Sequence, residues 1–145
     1  MKTFLLKNPF FYLMMFVLTA VSFTSCGEDE ETPEPPLSQS LVGTWDIDSY
    51  RLDDDEWIGF IVSSASITIE APTGNSGIFT QEVTFADGES TSISGRYVLD
   101  EVQQQITMYY DGDPIVAQVT VTGGKKLLWD SLQDGYPLVI KATKR

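Results

Sequence analysis

Four dipeptides, Asp87-Gly88, Asp111-Gly112, Gly123-Gly124 and Asp134-Gly135, cut the C-terminal part of this chain into short segments. Each accepts the positive φ that a tight hairpin turn demands, and alternating segments flank each one. The last three recur at intervals of 12 and 11 residues, the rhythm of strand, turn, strand. A looser turn, Pro72 to Gly77, lies upstream, and Asp100-Glu101 turns another pair. The spacing predicts eight strands at roughly 43–52, 66–71, 77–86, 90–99, 102–110, 114–122, 125–131 and 135–143. A short apolar piece, Trp57 to Val62, follows the first.

Alternation with a period of two supports these assignments. Ile93, Gly95, Tyr97 and Leu99 share one face, opposite Ser92, Ser94 and Arg96. Ile115, Ala117, Val119 and Val121 share another, as do Tyr136, Leu138, Ile140 and Ala142. No stretch after the linker holds a 3.6-residue stripe over three turns. Eight hairpin-linked strands with one apolar face either close into an antiparallel up-and-down barrel or stack as a two-sheet sandwich. Short connections favour the barrel, and closure removes the exposed edges.

Leu41-Val42-Gly43-Thr44-Trp45 resembles the Gly-x-Trp opening of the first strand in lipocalins and the wider calycin group. The resemblance implies an eight-stranded lipocalin-like barrel with Trp45 plugging its closed end. The chain is shorter than a typical lipocalin and looks more like the compact lipocalin-like domains on small lipoproteins of gut bacteria.

Ahead of this domain, Lys2 and Lys7 precede an apolar run, Phe10 to Phe23, in the layout of a secretory signal. The run falls short of the about 20 residues that a membrane span needs. Phe23-Thr24-Ser25-Cys26 resembles a bacterial lipobox, which implies cleavage before Cys26 and a diacylglycerol on its thiol. Cys26 is the single cysteine, and a free thiol is unusual in an oxidising compartment. The acidic tract Gly27 to Glu31 resembles the anionic export signal that sends some lipoproteins of Gram-negative gut bacteria to the cell surface. It also suits a solvated, self-repelling linker. The expected organisation is a signal peptide over 1–25, an acidic and proline-rich linker over 26–40, and one domain over 41–145. The expected location is the outer membrane or cell surface of a Gram-negative bacterium, with a lipid anchor.

Removing residues 1–25 leaves 7 Lys+Arg against 21 Asp+Glu, a net charge of −14. That excess argues against nucleic acid, whose phosphates are bound by clustered Lys and Arg. It also argues against lying flat on anionic lipid. There is no histidine, so the commonest general base and metal ligand are missing. No metal site or cofactor is expected. Asp53-Asp54-Asp55-Glu56 matches no calcium-loop spacing and reads as a solvated loop.

The aromatic residues are the stronger lead. Trp45, Phe79, Phe85, Tyr97, Tyr110, Trp129 and Tyr136 fall largely on apolar faces, where they either fill a barrel or line its pocket. Gln81, Gly95 and Gln104 interrupt that inward set, as groups orienting a ligand would. Trp57-Ile58-Gly59-Phe60-Ile61 is placed near a barrel mouth, as a lid or a buried edge. The candidate pocket residues are therefore Trp45, Trp57, Phe60, Phe79, Gln81, Phe85, Tyr97, Gln104, Tyr110 and Trp129. The function expected is non-enzymatic binding of a small apolar or amphipathic ligand by a lipid-anchored barrel. The alternative is a filled barrel that serves as an accessory subunit of a surface complex with a protein partner. The anchor has a direct test. Cys26→Ser in the native host should abolish incorporation of labelled fatty acid and release the protein from membranes, and retention of both would place the anchor elsewhere.

Overall fold

Tight turns set the architecture of the computed structural model, which describes residues 33–145. The signal-like segment 1–25, Cys26 and the acidic tract lie outside the described residues. Gly123 and Gly124 both adopt positive φ, at 59° and 66°, as do Asp134 and Gly135, at 52° and 83°. Two-residue turns of that handedness match the twist of paired strands. The strands are β1 (Gly43–Leu52), β2 (Asp55–Glu56), β3 (Val62–Ile69), β4 (Ser76–Phe85), β5 (Ser90–Asp100), β6 (Gln105–Tyr109), β7 (Ile115–Thr122), β8 (Lys126–Gln133) and β9 (Tyr136–Lys144). Every ladder between them is antiparallel.

Apart from the two-residue β2, which pairs only with β1, the strands follow one another around a single sheet. The sheet closes where β1 pairs with β9, in a register running from Trp45↔Lys144 to Leu52↔Leu138. The result is a closed eight-stranded up-and-down barrel, not a sandwich. β3 begins at Val62 rather than 66, because Val62 to Ser66 already pair with β4. β6 is shorter than expected: Asp100 Oδ1 accepts the Val102 and Gln103 N–H groups and pulls that stretch into a turn.

The extended linker expected up to residue 40 stops short of Leu37. Leu37–Ser40 forms a single helical turn, α1, and Leu37 is buried in the core cluster. One apolar side chain in a polar stretch is enough when a barrel end needs a cover. The Glu101 carboxylate on the β5–β6 turn secures it, accepting the Leu37 and Ser38 N–H groups at 2.7 Å each.

Trp45 is fully buried at this covered end, and its Nε1 donates to the Leu41 carbonyl at 2.8 Å. Lys144 donates from Nζ to the Ser40 carbonyl, and its ammonium lies 5.2 Å from the Trp45 ring centroid, a cation–π contact. Gly43 makes room for this arrangement. Its φ is +131°, and a Cβ there would meet Lys144 Cε at 2.7 Å. The Gly-x-Trp pattern thus has a local steric cause.

Two cross-strand pairs complete the packing of the covered half. Tyr97 lies over Gly77 and Phe79 over Gly95, each aromatic facing a glycine on the neighbouring strand. Tyr97 and Phe79 are almost wholly buried, and the Tyr97 hydroxyl donates to the Glu70 carbonyl. Gly95, expected as a break for a ligand, is therefore a seat for an aromatic ring. A Cβ at Gly95 would lie 2.5 Å from the Tyr109 carbonyl oxygen and 2.8 Å from the Phe79 ring. Backbone cannot yield as a flexible side chain does. Gly95→Ala should cost about 1–3 kcal/mol, read as a fall in melting temperature, whereas Ser94→Ala on the outer face should change little.

Candidate functional site

The filled half of the barrel ends abruptly. On β1 the plug residue Trp45 is followed inward by Ile47, on β3 Ile69 is preceded by Ile67, and on β4 Phe79 is followed by Gln81. On β5, β6 and β7 the corresponding steps lead to Ile93, Met108 and Ile115. All six of these residues, one step closer to the far end, line a cavity of about 190 Å³ that opens there. β8 contributes Leu127, Trp129 and Gln133, and β9 contributes Leu138, Ile140 and Ala142. The wall contains no carboxylate or ammonium group.

Tyr50 completes the rim, and it does so through a defect in the strand. The β1–β9 register shifts between Ile47 and Ser49, so Asp48 is an extra residue. Such a bulge changes the phase of alternation. Strict alternation from Ile47 would aim Ser49 inward, but the shift sends Tyr50 to the cavity instead. The Tyr50 hydroxyl donates to Gln133 Oε1 at 3.0 Å. Burial, and secondarily the neighbouring Tyr110, raise the Tyr50 pKa, so the hydroxyl remains a neutral donor. Gln81 on β4 lies on the same wall, two strands from Tyr50 on β1 and four from Gln133 on β8. Trp129 directs its Nε1 to Ser131 Oγ at 3.1 Å, leaving its ring to the cavity.

Of the sequence candidates, the structure brings Gln81, Tyr110 and Trp129 together on the cavity wall. Trp45, Phe79 and Tyr97 fill the covered half instead. Phe85 is half-buried near the end of β4, outside the lining. Gln104 stands at the opposite end, exposed on the β5–β6 turn with a φ of 53°, and its side chain donates to the Glu101 carbonyl. The alternation of β5–β6 breaks at that turn, so an inward assignment there fails. Tyr50 and Gln133 were not singled out from the sequence. Gln133 carries a readable signal, lying in phase with Trp129 and Ser131, whereas the bulge hides Tyr50.

Trp57 packs its ring against Tyr50, with centroids 5.8 Å apart. Its carbonyl accepts the N–H groups of Phe60, Ile61 and Val62, which winds the segment into a tight turn beside the mouth. Phe60 is 75% exposed at the tip of that turn and does not line the cavity. Glu56 holds the base of the turn by accepting from the Ser49 hydroxyl and from the Tyr50 and Ile58 N–H groups. Asp53, Asp54 and Asp55 are exposed, and among the described residues no three acidic, histidine or cysteine side chains gather as a metal site.

The sequence matches no protein-family model and none of the curated proteins. Solved structures resemble its fold. A de novo designed fluorescence-activating β-barrel superposes with a TM-score of 0.57 at 15% identity, covering 77% of this chain and 99% of that one. A redesigned barrel, mFAP1, bound to DFHBI, gives a TM-score of 0.55 at 14% identity over 77% and 100%. Lobster apocrustacyanin A1 gives 0.51 at 14% identity, covering 80% of this chain and 65% of that one. At these identities the likeness is one of fold, a lipocalin-like closed barrel.

The two carboxylates that pin the ends of the barrel respond to acid alike. Burial by itself raises the pKa of Glu56, but its three hydrogen bonds and nearby Arg51 outweigh this and hold it below its ordinary value of 4.5. At Glu101, burial is likewise outweighed by the hydrogen bonds from Ser38 and Leu37. A carboxyl whose pKa is depressed by folding contributes stability above its unfolded pKa and loses it as pH falls through the folded one. The melting temperature should therefore hold from pH 7 to about 5 and decline below pH 4.5. Glu56→Gln and Glu101→Gln should each lower it at pH 7 and flatten its acid dependence.

Proposed function

We propose that this protein binds a small, largely apolar molecule in the open half of its barrel. The observation that carries the proposal is the half-filled interior, in which an apolar wall surrounds about 190 Å³ and a neutral tyrosine–glutamine pair stands at the rim. Pockets of this make-up, apolar with a few placed polar groups, are the usual form of small-molecule sites. An engineered apolar cavity of roughly 150 Å³ holds benzene, while drug-sized ligands need about 300–1,000 Å³. The volume therefore suits a single-ring compound, or one end of a larger molecule that projects through the mouth. The barrel it resembles in mFAP1 is a binder of DFHBI, which supports the same reading.

We further propose that the binding is non-enzymatic and takes place in a bacterial envelope, with Cys26 lipidated at the outer membrane or cell surface. The sequence has no histidine and the cavity wall no carboxylate, so the site has little with which to move protons. The filled-barrel accessory subunit has weaker support, because the interior is filled only at one end.

Calorimetric titration of the purified protein with phenethyl alcohol should give a Kd of roughly 10 μM to 1 mM. Ile93→Trp, which adds bulk at a half-buried position on the cavity wall, should weaken binding about tenfold or more while leaving the β-sheet circular dichroism unchanged. Equal binding by the wild type and this variant would remove the cavity as the site.

A further inference from the structure

Charge is distributed unevenly along the barrel axis. The antiparallel meander places the β1–β3, β4–β5, β6–β7 and β8–β9 connections at the open end. These carry Asp53 to Glu56, Asp87 and Glu89, Asp111 and Asp113, and Asp134. All are exposed except Glu56, which is half-buried. Arg51, paired in register with Glu56, and Arg96, which lies over the Tyr109 ring, are bases near this set. The covered end is mixed, with Lys125, Lys126, Lys144 and Arg145 set against Asp46, Glu70, Asp100 and Glu101. Of these, Arg145 is ion-paired to Asp46 and Lys144 is turned onto Trp45.

A molecule entering the cavity passes through the acidic end. Just inside, Tyr50, Tyr110 and Trp129 line the wall, and aromatic faces attract cations. The wall itself supplies no charge of either sign, so the sign of the ligand is selected at the mouth. Low-dielectric walls below a single-sign rim focus the field and raise the local concentration of the opposite charge.

Building on the binding function proposed above, we infer that the barrel selects a monocationic, single-ring aromatic amine, whose ring enters the cavity and whose ammonium stays at the acidic mouth. Neutral isosteres bind through the same apolar contacts, only more weakly. Anionic isosteres are rejected. The ammonium keeps its water and the carboxylates keep theirs, so the attraction is a screened one that falls with salt.

Three isosteric probes test this by calorimetry on the purified protein at pH 7: phenethylamine, phenethyl alcohol and phenylacetate. At low salt the amine should bind about fivefold to tenfold more tightly than the alcohol, and phenylacetate more weakly than both. The advantage of the amine should shrink severalfold in roughly 0.5 M salt, where the Debye length falls to a few ångströms. Neutralising the exposed acids, with Asp53, Asp54 and Asp55 changed to Asn in one variant and Asp111 and Asp113 in another, should lower amine affinity and leave the alcohol unchanged. If amine and alcohol bind equally at low salt, or the variants leave their ratio unaltered, charge selection is overturned and the apolar cavity stands. If none of the probes binds, the cavity reading falls and this inference with it.

Discussion

The seam between β1 and β9 is the contact on which the rest of the structure depends. A meander of short strands leaves two unpaired edges, each a row of backbone donors and acceptors open to any other strand. Pairing the first strand with the last satisfies both rows and turns a sheet into an enclosure. The seam also shapes both ends. At one, the register sets Lys144 beside Trp45, where the ammonium reaches both the indole face and the Ser40 carbonyl. At the other, the Asp48 bulge rotates Tyr50 inward, within reach of Gln133.

What the barrel encloses follows from where its large side chains fall. Trp45 on β1 and Phe79 and Tyr97 on the adjacent β4 and β5 fill the covered end, and Gly77 and Gly95 provide the space in which two of those rings lie. Towards the opening, the same strands carry Ile47, Gln81 and Ile93, which are too small to meet across the interior. A chain of this length cannot fill an eight-stranded barrel to native density everywhere unless large residues recur in every layer. Here Trp45, Phe79 and Tyr97 fill the covered layer, while the layer nearer the opening mixes Trp129 and Tyr50 with smaller residues and stays hollow. Rigidity and the binding volume thus occupy separate halves of one short domain, and α1 seals the rigid half.

Much of this was legible in the order of residues. The glycine-containing turn pairs and the period-two alternation set strand number and sequence, and the short connections between most strands favoured closure. Trp45 was readable as a plug because Gly43 precedes it in a recognisable pattern. The site was less legible, because a periodic pattern tells which residues face inward and not how far along the axis each one sits. Phe79 and Gln81 belong to the same inward set two residues apart, yet one is packed solid and the other lines a cavity. Gln104 was misplaced for a related reason, since a turn interrupts the phase between β5 and β6.

The sequence by itself therefore determined the class of fold, the strand order, and most of the inward faces, since these rest on local backbone preferences and on alternation. It also determined the acidic excess and the lack of histidine, which limit the chemistry open to the chain. Only the tertiary structure decided that β1 bulges at Asp48, that Leu37 leaves the linker to cover the barrel, and that the interior is filled at one end and hollow at the other. Each of these depends on cross-strand register, which brings together residues tens of positions apart and leaves no trace in any short window of sequence.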